Sequence, residues 1–152
     1  MILKTIIDED LTNYKKPSML IATPRCTMKC GEEYCQNNPW LKQPDIRVDN
    51  EEIIKRYLSN NLTQAIVFSG LDPMDTFEDL LMFVYEFRAI CNDDVVIYTG
   101  YTKDEIKLEI EQLKQFPNII VKFGRYIPEE NSHHDEILGV ELASSNQYAE
   151  RL

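Results

Sequence analysis

Short apolar runs alternate with amphipathic stretches along this chain, and that alternation limits the folds open to it. Residues 19–22, 65–68, 95–98 and 119–121 each read as a short buried strand. Residues 50–60, 76–91 and 103–115 read as helices. In the first helix Asp49 or Asn50 is the expected cap, and Glu51 and Glu52 suit its positive end. Ile53, Ile54, Tyr57 and Leu58 share one of its faces. In the second, Leu80, Leu81, Val84, Phe87 and Cys91 recur at helical spacing behind Asp75 or Thr76. Alternating strands and helices with short connections predict an α/β fold with a mostly parallel sheet and right-handed crossovers. A length of 152 residues suits a single domain spanning 1–152. In such a sheet, ligands gather at the C-terminal ends of the strands.

Those strand ends carry the residues with chemistry. Cys26, Cys30 and Cys35 follow the first strand, with three residues in one gap and four in the other. Thiolates are soft ligands for zinc or iron–sulfur clusters. Structural zinc and four-iron clusters both normally take four protein ligands. Three thiolates on one loop leave a position open, so the loop reads as a reaction site. The competing reading is a zinc knuckle completed by His133 or His134, about a hundred residues further on. Cys91 continues an apolar helix face and reads as a buried structural cysteine.

The other turns are weaker signals. Tyr34 precedes the third cysteine and offers a ring to stack on a base. Ser69, Gly70, Leu71, Asp72 and Pro73 follow the second strand. Gly70 permits close backbone approach, and Asp72 offers acceptors to an ammonium group, although a plain capping turn has the same composition. Thr99 and Gly100 follow the third strand, and Gly124 and Arg125 the fourth; the Arg125 fork suits a carboxylate. Residues 36–48, with Pro39, Trp40 and Pro44, read as an ordered loop. His133 and His134 read as part of a solvated loop. A short strand is expected near 137–142, with a polar turn at 144–146.

Composition removes several classes. A net charge of −10, from 26 acidic and 16 basic residues, argues against a nucleic-acid binder. No run approaches the ~20 apolar residues of a membrane span, and the N-terminal residues lack the order of a signal peptide. A cytoplasmic location is therefore expected, where clustered cysteines bind metals more often than they form disulfides.

Taken together, Arg25-Cys26, Cys30, Cys35-Gln36-Asn37, 68–74, 98–102, 124–128 and the late 144–147 come in an order that resembles radical S-adenosylmethionine activases of the anaerobic ribonucleotide reductase type. The likeness spans about 21–147. In that family the second cysteine gap has two residues, a second glycine stands where this chain has Leu71, and an acid stands at Phe123. The resemblance implies a partial (β/α) barrel with one [4Fe-4S] cluster on Cys26, Cys30 and Cys35. It implies S-adenosylmethionine at the open iron, with Tyr34 against the adenine. Ser69, Gly70 and Asp72 would hold the methionyl ammonium, Thr99 would join the cofactor contacts, and Arg125 would lie near the carboxylate. The implied activity is reductive cleavage of the cofactor to a 5′-deoxyadenosyl radical that makes a glycyl radical on a partner. The implied partners are an anaerobic ribonucleotide reductase and a one-electron donor such as flavodoxin or ferredoxin. A radical enzyme acting on a peptide or small heterocycle, and a zinc-binding interaction module, are the alternatives.

Overall fold

A computed structural model describes residues 1–35 and 37–152. Its strands are β1 (Ile2–Leu3), β2 (Thr5–Asp10), β3 (Ser18–Thr23), β4 (Ile46–Arg47), β5 (Ala65–Gly70), β6 (Asp94–Tyr98), β7 (Ile119–Phe123), β8 (His133–Asp135), β9 (Val140–Leu142) and β10 (Tyr148–Arg151). The α-helices are α1 (Asn38–Leu41), α2 (Asn50–Ser59), α3 (Phe77–Arg88) and α4 (Lys107–Leu113). The chain is a mixed α/β domain whose central sheet has the order β10-β7-β6-β5-β3-β2. The middle four strands are parallel, and β2 and β10 join antiparallel at the edges. Among the described residues, no helix is long and apolar enough to cross a membrane.

The two faces of the sheet are filled differently. Because side chains alternate along a strand, Ile21, Phe68, Ile97 and Val121 share one face. They pack against Ile53 and Tyr57 of α2, Phe83 and Phe87 of α3, and Ile110 and Leu113 of α4. Edge-to-face ring pairs, Phe68 with Phe83 at 5.2 Å and Tyr57 with Phe87 at 5.3 Å, knit that layer. Smaller residues, Ala65, Val67, Val96 and Ile120, form a second cluster with Tyr14, Leu138 and Leu142 on the opposite face. Helices thus cover one face, while the β8–β9 hairpin and the segment before β3 cover part of the other.

The four expected parallel strands form, and β5 and β7 run on through Gly70 and Phe123. The helices are shorter than periodicity predicts. Residues 103–106 form a turn, held by the Glu105 carboxylate, which accepts from Thr102 N at 2.8 Å. A 3-10 turn, Pro73–Thr76, precedes α3, and Asp72 caps it by accepting from Met74 N at 3.1 Å. Asp49 and Thr76 stand at the N-caps of α2 and α3 without a side-chain cap bond.

Residues expected as loops are partly ordered otherwise. Of 36–48, residues Asn38–Leu41 are helical, with Pro39 in the first turn, and Ile46–Arg47 pairs with β1; Gln36 lies outside the described residues. The strand near 137–142 is only Val140–Leu142, and it pairs with His133–Asp135, so His133 and His134 are strand residues. Asp135 explains this: its Oδ1 accepts from Ile137 N at 3.0 Å and Leu138 N at 2.9 Å, which makes 136–139 a turn. Its Oδ2 accepts from Ala149 N at 2.9 Å and ties the hairpin to β10. Strands β2 and β10 were not foreseen, because charged residues interrupt their apolar pattern.

The N-terminal ends of the strands are locked by one carboxylate. Asp94, at the start of β6, is 5% exposed. It accepts from Tyr14 Oη at 2.9 Å, Lys16 Nζ at 2.6 Å and Arg151 at 2.8 Å, so it joins the segment before β3 to both β6 and β10. Burial alone would push its pKa up; the three donors outweigh burial and bring it down to about 2. Its contribution to stability is therefore complete above the ordinary carboxylate pKa of about 4 and is lost as pH falls towards about 2. Asp94→Asn is expected to cost about 2 kcal/mol in urea unfolding at neutral pH, with a flatter loss of stability on acidification. An unchanged urea midpoint would show that the cluster is not a lock.

Candidate metal centre

At the C-terminal ends of the parallel strands lies a cavity of about 290 Å³. The turns after β3, β5, β6 and β7 all reach it, as parallel topology requires. The cysteine loop follows β3, and Cys26, Cys30 and Cys35 all line the cavity. They are partly buried and make no disulfide. Met28 adopts a left-handed φ of 53° and donates its N–H to Cys26 Sγ at 3.3 Å, a contact that favours thiolate. The long second gap is taken up by a 3-10 turn, Glu32–Tyr34, in which Cys35 N donates to Glu32 O at 3.2 Å. The extra residues coil instead of extending, which returns Cys35 to the cavity wall.

The surroundings of Cys26 and Cys30 favour their thiol forms. Burial pushes Cys26 up to about 11; Met28 N–H opposes this, while Asp72, Asp75 and Cys30 add to it. Burial and then the nearby Cys35 raise Cys30. Crowded thiols of this kind exchange their protons for a metal, whose charge removes the mutual repulsion. Three soft donors on one wall fit an iron–sulfur cluster. The wall also offers hard donors: Cys26 Sγ and carboxylate oxygens of Asp72 and Asp75 lie within 4.8 Å of one another.

The turn after β5 depends on Gly70. Its φ is +97°, and a Cβ there would come within 2.8 Å of both Ala22 Cβ and the Trp40 ring. Ser69 and Gly70 present this turn to the cavity, and Asn37 donates to Gly70 O. Asp72 is 6% exposed. Its Oδ1 accepts from Met74 N at 3.1 Å and Thr99 Oγ1 at 2.9 Å, and its Oδ2 accepts from Gly100 N at 2.9 Å. Burial raises its pKa against these bonds. Thr99 Oγ1 also lies 3.1 Å from Oδ2, so three donors of the chain share the two carboxylate oxygens.

Asp75 was foreseen only as a cap, yet it anchors the cysteine loop. It accepts from Thr27 N at 2.7 Å and from Tyr101 Oη at 2.7 Å. Arg125 reaches the cavity wall, but its fork is engaged within the chain: it donates to both Glu105 oxygens, at 2.9 and 3.0 Å, and lies over the Tyr101 ring at 5.0 Å. Tyr34 is 51% exposed at the rim. The late 144–147 segment supports the last turn. Asn146 Nδ2 donates to Arg125 O at 2.8 Å, and Gln147 Nε2 to Gly124 O at 3.2 Å.

The nine residues that the resemblance assigns to cluster and cofactor, Cys26, Cys30, Tyr34, Cys35, Ser69, Gly70, Asp72, Thr99 and Arg125, therefore line one cavity. His133 and His134 do not; they sit on β8, where His134 faces Glu141 at 3.4 Å. Cys91 packs against the helical core, away from the cavity. The sequence reading missed Lys122, a lysine that lines the cavity from within the apolar strand β7. Its signal was available, since a lysine between Val121 and Phe123 breaks a buried run.

Alanine at any of Cys26, Cys30 or Cys35 is expected to lower cluster iron and sulfide per chain at least about tenfold, while Cys91→Ala retains both. Full loading of a loop variant, or loss with Cys91→Ala alone, would overturn the ligand assignment.

A family model described as a 4Fe-4S single cluster domain matches residues 19–148. None of the curated proteins and none of the solved structures matches the chain.

Proposed function

The chain belongs to the 4Fe-4S single cluster domain family, and on that premise we propose that it is a radical S-adenosylmethionine enzyme that activates a glycyl-radical partner. One observation carries this reading. Three cysteines of one loop share a cavity with the Ser69–Asp72 turn, and among the described residues no fourth cysteine or histidine lines it. That arrangement suits a cluster with one iron left for a small ligand. When bound, the cluster supplies the electron that splits S-adenosylmethionine into methionine and a 5′-deoxyadenosyl radical.

The protein's part is binding, orientation and exclusion of water. Cys26, Cys30 and Cys35 hold the cluster. The negative charge of Asp72, with Ser69 and the close backbone at Gly70, receives the methionyl ammonium. Thr99 and Gly100 keep the Asp72 carboxylate aimed through bonds of 2.9 Å each. Tyr34 flanks the adenine. Arg125 stands near the carboxylate, with Glu105 as its resting partner. The mostly parallel sheet, helices on one face and cavity on the other, suits a partial (β/α) barrel.

A protein substrate fits the rim. Thr27, Lys29 and Tyr34 line the cavity and are exposed, so a glycine loop of a partner can complete the mouth. An anaerobic ribonucleotide reductase is the proposed partner, with flavodoxin or ferredoxin as the electron source and the cytoplasm as the setting. Asp72 and Asp75 beside Cys26 offer oxygens that zinc also accepts, so a zinc-binding module is the alternative, and metal analysis separates the two.

The test is reductive incubation of the reconstituted protein with S-adenosylmethionine, alone and with an anaerobic reductase. The expected products are 5′-deoxyadenosine and a glycyl radical signal in the partner. Deoxyadenosine without that signal would end the activase assignment, and neither product would end the radical assignment. Asp72→Ala is expected to weaken S-adenosylmethionine binding about tenfold or more with the cluster retained; unchanged affinity would make the turn purely structural.

A further inference from the structure

Lys122 is the cation of the cavity that has no anionic partner among the described residues. It lies near the C-terminal end of β7, is 6% exposed, and lines the same cavity as the three cysteines. Among the described residues the one hydrogen bond of its ammonium goes to Gly124 O at 2.8 Å, and it forms no ion pair. A buried lysine is normally paired, because removing an ammonium from water without an anion is costly. The other cations of this wall are accounted for. Arg125 is held by both oxygens of Glu105, and Lys29 is exposed beside the Tyr101 ring. The nearby buried carboxylate, Asp72, already accepts from Thr99, Gly100 and Met74.

Loading the cavity introduces the missing negative charge. Three thiolates around an iron–sulfur core make a net anionic assembly, and one-electron reduction adds a further negative charge. Resting on the cluster reading above, we infer that Lys122 is the fixed countercharge of the cluster, and that its ammonium favours the reduced over the oxidised form. The low dielectric of a buried wall makes such a charge effective across several ångströms. Net charge near a cluster is one of the levers that sets its potential. Burial pulls the Lys122 pKa down to about 8 while the charge at Asp72 acts the other way, so a further negative charge in the cavity works against burial. Lys122 is thus a positioning and tuning residue, not a ligand.

The experiment compares wild type, Lys122→Met, Lys122→Gln and Lys122→Arg after anaerobic reconstitution. Iron and sulfide per chain are measured first. The reduced-cluster signal is then titrated by potential without S-adenosylmethionine. Full clusters are expected in all four proteins. Lys122→Met and Lys122→Gln are expected to shift the reduced-to-oxidised ratio about tenfold towards oxidised, equivalent to ~59 mV lower potential for one electron. Lys122→Arg, which keeps the charge, is expected to stay near wild type. Lys122→Gln, which keeps a donor for Gly124 O, carries the test if the methionine variant does not fold. Loaded neutral variants with unmoved potentials overturn the inference. So does weakened S-adenosylmethionine binding at unmoved potential, which would make Lys122 a ligand contact. A wild type that takes up no iron sinks the cluster reading itself, an outcome that iron and sulfide analysis tells apart from an unmoved potential.

Discussion

The buried carboxylate of Asp72 organises the rim. Its side chain joins the turn after β5 to the turn after β6 through Thr99 and Gly100. Its backbone N–H donates to Arg25 O at 2.7 Å, at the root of the cysteine loop. Three strand ends are thereby held in one geometry by a single residue, and Cys26 lies against it. Burial of a carboxylate is unfavourable unless its oxygens are satisfied, and here strand-end donors satisfy most of them. Asp75 extends the arrangement by holding Thr27 and Tyr101, so a loop without regular structure gains fixed anchor points.

The parallel core was legible because its strands are buried on both faces and therefore appear as plain apolar runs. The placement of Cys26, Ser69, Asp72, Thr99 and Arg125 on one rim followed from that topology alone. What stayed hidden depended on side-chain bonds between distant residues. Arg125 reads as free in the sequence, yet Glu105 occupies its fork, 20 positions away. Strand β8 reads as a solvated acidic segment, yet Asp135 turns it into a hairpin. Edge strands β2 and β10 end in consecutive charged residues that mask their pairing. Lys122 was passed over although it breaks the apolar run of β7, because its place on the cavity wall shows only in the fold.

The departures from the activase pattern acquire physical meaning in this fold. The four-residue cysteine gap is absorbed by the 3-10 turn at Glu32–Tyr34. Leu71 is 8% exposed, so the position of the second glycine serves packing here. Phe123 is fully buried in the helix-side core, with its ring 5.4 Å from Tyr148, so an acidic group at that position would face apolar neighbours. These changes leave the cysteine wall and the Asp72 turn in place, and Phe123 adds to the core beside them.

The most direct test of the open-iron account is electron paramagnetic resonance of the reconstituted, reduced protein with and without S-adenosylmethionine. The account predicts a reduced-cluster signal whose shape changes when S-adenosylmethionine is added, because the ligand enters at the iron that the three cysteines leave free. A cluster signal that S-adenosylmethionine does not alter, or zinc bound in place of iron, would contradict it.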